Sequence, residues 1–100
     1  MTLVIVIQLR AKSLQAADRV QHLLAGIRDT ALLTEPGTTM YLTTRAQADP
    51  LEFLLFEEYV DELALKLHMS SLQFQALKEE ADGLFVDGIK GLRIAYYDRF

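Results

Sequence analysis

Apolar and polar positions along the chain fall into six segments with distinct periods. Leu3, Ile5, Ile7 and Leu9 share one face of an alternating stretch, and Val4, Val6, Gln8 and Arg10 share the other. One face is wholly apolar and the other mostly so, which predicts a central strand covered on both sides. Ser13 is placed to cap a helix over about 14–33, in which Ala17, Val20, Leu24, Ile27 and Ala31 recur at helical spacing as one stripe. Gln15, Asp18, Arg19, His22 and Asp29 gather opposite, so His22 reads as a solvated histidine. "EPGTT" at 35–39 is turn chemistry. Strands over about 39–46 and 51–60 follow, joined by "QADP".

Asp61 can cap a brief helical turn ending at His68, with Leu63, Ala64 and Leu67 as its apolar stripe. His68 then lies at the border of that stripe. Ser70 with Gln73 has the spacing of a capping box, and Met69 with Phe74 that of a hydrophobic staple. These predict a helix from near Ser71 that stops at Gly83 and turns Phe74, Leu77, Ala81 and Leu84 to the core. A turn around Gly88 and Gly91 leads to a last strand over about 92–97. The order is βαββαβ, and antiparallel pairing with both helices on one side gives an α+β, ferredoxin-like domain. Two helices cover one face only, yet Leu54, Phe56 and Val60 are as apolar as Phe53, Leu55 and Tyr59 opposite them. The bare face asks for a partner, and a second copy of the chain, in a homodimer, is the simplest.

Composition narrows the functional classes. One hundred residues, 51% of them hydrophobic and 24% charged, suit a single domain over 1–100 with a packed core. A net charge of −4 with no basic cluster speaks against a nucleic-acid surface. The absence of cysteine removes disulfides, thiolate nucleophiles and iron–sulfur clusters, and fits a reducing cytoplasm. "MTLVIVIQLR" is too short to span a membrane and lacks the basic flank of a signal peptide, so no membrane role is expected.

The stretch "FLLFEEYVDELALKLH", 53–68, carries the candidate chemistry. Side chains alternate along a strand, so Glu57 and Glu58 point to opposite faces and cannot act as a catalytic pair. Each is a lone carboxylate among apolar neighbours and must find a donor or reach solvent. Two histidines far apart in the chain make no metal site. Spacing alone favours a plain reading, in which both carboxylates are structural and His68 ends a helix.

Longer stretches add to this. "DPLEFLLFEEYVDELALKLHMSSLQF" and the upstream "EPGTTMYLTTR" resemble the antibiotic-biosynthesis monooxygenase-like family, dimeric α+β barrel proteins that include cofactor-independent quinol and anthrone oxygenases. The family pattern of Glu, aromatic, Asp and His falls on Glu57, Tyr59, Asp61 and His68, with Phe74 following. Gln73 stands where many members have a second histidine, and Tyr59 where several have tryptophan. The first strand has no asparagine of the kind haem-degrading relatives use.

The resemblance implies a small electron-rich aromatic substrate and dioxygen as partners. Neither a phosphate-binding glycine loop nor a ligand cluster is present, so no cofactor is expected and the substrate must be its own reductant. His68, with an intrinsic pKa of about 6.5, is the candidate base. Glu57 is expected to orient it or to bind a substrate hydroxyl, and Tyr59, Phe74 and Tyr41 to wall the pocket. A ring isomerase or tautomerase using the same base, and a non-catalytic dimeric binding module, are the alternatives.

Overall fold

The computed structural model describes residues 2–100. Its elements are β1 (Leu3–Arg10), α1 (Leu14–Thr34), β2 (Thr38–Arg45), β3 (Glu52–Tyr59), α2 (Glu62–Met69), α3 (Leu72–Leu84) and β4 (Arg93–Asp98), with a 3-10 turn at Gly88–Gly91. The four strands form one antiparallel sheet in the order β2-β3-β1-β4. This is the ferredoxin-like α+β arrangement, with the second helical segment split into α2 and α3. The doubly apolar β1 lies in the interior of the sheet, as its pattern requires.

Helix α1 starts where Ser13 Oγ accepts from the Ala16 amide. Its stripe of Ala17, Val20, Leu24, Ile27 and Ala31 is fully buried against Leu9, Tyr41, Phe53 and Leu55 of the sheet. This interface forms most of the larger of the two apolar clusters, and burial of apolar surface is the dominant favourable contribution to folding. Helix α3 adds Leu77 and Ala81 to the same core, with Leu84 packed at its margin.

Three local expectations are corrected. The cap of α3 is Ser71, whose Oγ accepts from the Phe74 amide, and not Ser70. Ser70 is consumed in ending α2, where its hydroxyl donates to the Leu67 carbonyl. The helix also runs past Gly83 to Leu84. It ends at Phe85, which turns extended, buries its ring and bridges to Ala11 at the end of β1. A tertiary pairing, not a glycine, sets that terminus.

The third correction concerns α2. Leu63 and Leu67 face outward at 63% and 61% exposure, and the buried residues are Ala64 and His68. This helix sits over the end of the sheet, close to the turn at Pro36 and Gly37. A Cβ on Gly37 would stand 2.5 Å from the Cβ of Ala64. Only the pairing of a glycine with a small residue permits that approach, so the turn selects the Ala64–His68 face and excludes the leucines.

Candidate functional site

Glu57 and Tyr59 near the end of β3, the turn after α1 and the end of α2 converge on the His68 ring. Odd-numbered residues of β3 face the helices, so Glu57 and Tyr59 point inward, where Ile5, Tyr59 and Ala64 form a small second core. Tyr41, opposite Glu57 on β2, points the same way. The ring of His68 is 2% exposed and lies between three aromatic rings, with centroids 5.3 Å away for Tyr41, 5.6 Å for Tyr59 and 5.9 Å for Phe74. All five residues singled out from the sequence therefore meet, although they come from four elements.

Their connections differ from those expected. Glu57 makes no hydrogen bond to His68. The Tyr59 hydroxyl donates to Glu57 Oε1 across 2.5 Å. His68 Nδ1 instead lies 2.8 Å from Oε1 of Glu35, the residue that caps the end of α1. Glu35 is the member of the cluster that strand and helix patterns did not single out. Its only local signal is its place in "EPGTT", since it lies 33 positions before His68. The other imidazole nitrogen, Nε2, is buried and has no hydrogen-bond partner among the described residues. Such an atom costs about 1–3 kcal/mol, an expense that points to a use beyond packing.

Burial pushes the Glu57 carboxyl above its ordinary range, against the lowering effect of the Tyr59 hydroxyl and the nearby imidazole. The same burial, with Glu57 alongside, raises both Tyr41 and Tyr59 phenols, so both are neutral donors at physiological pH.

A cavity of about 90 Å³ opens beside the ring. His68, Glu57, Tyr41, Phe74, Met69 and Tyr96 are among its lining residues, and the wall is otherwise apolar. Tyr59 does not line it; it is fully buried behind Glu57 and His68. Leu65 and Tyr96 also border a neighbouring groove of about 380 Å³ between α2 and β4. Among the described residues no group of three or more His, Asp or Glu side chains is arranged to hold a metal ion.

Glu58, on the opposite face, has a different setting. It is 6% exposed, and Arg99 Nη1 donates to both its oxygens at 2.8 and 3.0 Å, while Thr39 Oγ1 donates at 2.8 Å. It is an ion-paired carboxylate.

A histidine, two carboxylates and three aromatic rings thus gather at one end of an antiparallel ferredoxin-like sheet. The chain belongs to the antibiotic biosynthesis monooxygenase family, whose model matches residues 2–80. Among solved structures, PA3566 from Pseudomonas aeruginosa superposes with a TM-score of 0.85 at 18% identity, covering 99% of this chain and 94% of that one. Rv0793 from Mycobacterium tuberculosis gives 0.82 at 17% identity, over 100% and 96%. A structure of an antibiotic biosynthesis monooxygenase gives 0.81 at 23% identity, over 98% of each chain. These likenesses establish the shared fold. No curated protein matches the sequence.

Proposed function

We propose that this protein is a cofactor-independent monooxygenase that oxidises a small electron-rich aromatic, of hydroquinone or anthrone type, with dioxygen. The observation that carries the reading is the His68 imidazole, anchored through Nδ1 and free at Nε2 beside an apolar cavity. In this mechanism Nε2 takes a proton from the bound substrate. The substrate anion passes one electron to dioxygen, the two radicals combine as a peroxide anion, and the imidazolium returns its proton to give a hydroperoxide. Loss of water from it leaves a carbonyl, so the CH₂ of an anthrone, or of the keto tautomer of a hydroquinone, and O₂ become C=O and H₂O, with all four electrons supplied by the substrate. An apolar site suits this sequence, because excluding water protects the reactive intermediates.

The cavity itself is smaller than the roughly 150 Å³ that holds one benzene ring. The groove that shares Leu65 and Tyr96 supplies the remaining space, within the usual ~300–1,000 Å³ of small-molecule sites. Phe74 and Tyr41 are the stacking surfaces in this reading, and Tyr59 supports Glu57 from behind.

A homodimer is part of the same proposal. Met40, Leu42, Leu54 and Tyr97 are exposed on the sheet face that carries no helix, and a second copy covers them. Residues 1–100 then act as one cytoplasmic domain per subunit. Among the described residues no helix is long and apolar enough to cross a membrane.

An oxygen electrode tests the activity. With a panel of hydroquinones and anthrones, in the presence of chelator and without added flavin or nicotinamide, oxygen uptake should accompany substrate loss. Turnover without oxygen uptake would indicate an isomerase, and binding without turnover a sequestering module. Light scattering should report twice 11.3 kDa; a monomer at micromolar concentration would contradict the dimer.

A further inference from the structure

The geometry points to Glu35, not Glu57, as the positioning residue that decides which nitrogen of His68 is basic. The inference rests on the reading of His68 as the base and adds how that base is prepared. A carboxylate accepts hydrogen bonds, so Glu35 Oε1, 2.8 Å from Nδ1, holds the imidazole proton there. The neutral ring then carries its lone pair on Nε2, the nitrogen without a partner among the described residues. Glu57 is not placed for this task, since its Oε1 is engaged by the Tyr59 hydroxyl and it makes no hydrogen bond to the ring.

The surroundings of Glu35 fix it in this role. Its backbone amide donates to the Ala31 carbonyl at 3.0 Å, which ties the residue to the end of α1. Thr38 Oγ1 donates to the same Oε1 at 3.0 Å, and Thr38 is itself buried. The close approach of Gly37 to Ala64 then brings the turn within reach of α2, one helical turn before His68. A turn that seemed only to redirect the chain thus delivers an oriented carboxylate to a residue distant in sequence. The two carboxylates divide the work: Glu35 sets the tautomer, and Glu57 faces the cavity.

Nitrogen-15 NMR of histidine-labelled protein reads the tautomer directly, at a pH where the imidazole is neutral. Wild-type His68 should show a protonated Nδ1 and an unprotonated Nε2, and exposed His22 serves as the internal reference. Glu35→Ala should move His68 toward a mixture that favours a protonated Nε2, and leave His22 unchanged. Thr38→Val, which keeps the carboxylate but removes its hydroxyl anchor, should give a smaller shift in the same direction and serves if Glu35→Ala does not fold. Once a substrate is in hand, Glu35→Gln should lower kcat by about tenfold or more with KM little changed, as when the acid behind a catalytic histidine is lost. A wild-type His68 protonated at Nε2, or a tautomer indifferent to both variants, would overturn the proposal. Because the NMR experiment uses no substrate, its outcome is separate from whether His68 turns anything over.

Discussion

Glu57 and Glu58 are neighbours on β3, nearly equally buried at 3% and 6% exposure, and chemically opposite. Glu58 is held by a guanidinium and a hydroxyl, so its charge is matched where it stands. Glu57 has only phenol hydroxyls and an imidazole for company, and burial raises its pKa. The difference is produced by strand alternation alone, which sends one side chain to the helical side and the other to the bare face. A buried carboxylate opposite a cation is settled, whereas one among neutral donors is poised to exchange a proton.

The comparison can be broken most severely at the His68 ring, which only the helical face of the sheet reaches. His68→Ala should cut turnover by about 10²–10⁴, the usual worth of a general base. The sequence pattern puts His68 on a helix border and so predicts little change in folding stability. The ring is in fact fully enclosed, and its removal should cost about 1–3 kcal/mol in a urea unfolding experiment. Rescue of turnover by added imidazole would separate the chemical loss from the structural one. An unchanged rate would place the chemistry elsewhere.

Glu57→Gln should lower turnover by about tenfold to a hundredfold, because the site loses an ionisable group tuned by its surroundings. It should also alter the pH dependence of stability, with a sign fixed by the raised pKa. The folded protein holds the Glu57 proton more tightly than the unfolded chain does. That contribution is fully present below the unfolded value near 4.5 and is lost as pH rises through the folded one. Urea midpoints measured across this range should therefore show wild type losing stability relative to Glu57→Gln as pH increases. Parallel curves would show that Glu57 does not titrate abnormally.

The smallest effect is expected from Glu58→Gln. Turnover should stay near wild type, and stability should fall by about 1 kcal/mol at most, since Arg99 is 62% exposed and its ion pair is screened by solvent. Thr39 can still donate to the amide oxygen that remains. A marked loss of activity here would mean that the sheet face, and not the helical face, contains the site.

How much of this was legible beforehand follows from how far each feature depends on distant partners. The stripe of α1 could be read residue by residue, because a long amphipathic helix has one apolar side and no competing choice. Period two placed Glu57 with Tyr59 and apart from Glu58 for the same reason. Helix α2 is the opposite case: its eight residues offer Leu63 and Leu67 on one side and Ala64 and His68 on the other. Side-chain size alone favours the leucines, but the turn at Gly37 requires the alanine, and that constraint comes from outside the segment. Glu35 escaped for a similar reason, since a glutamate before Pro-Gly looks like ordinary turn polarity until the helix that it meets is in place. Five members of the cluster were legible in the sequence, but Glu35 and the hydrogen bonds that join the cluster were not.

The most direct test compares initial rates of oxygen uptake by Glu57→Gln and Glu58→Gln under identical conditions, on the hydroquinone or anthrone that wild type oxidises best. The rate should fall by at least about tenfold for Glu57→Gln and stay near wild type for Glu58→Gln. The reverse pattern, or equal rates, would contradict the assignment of the site to the helical face of β3.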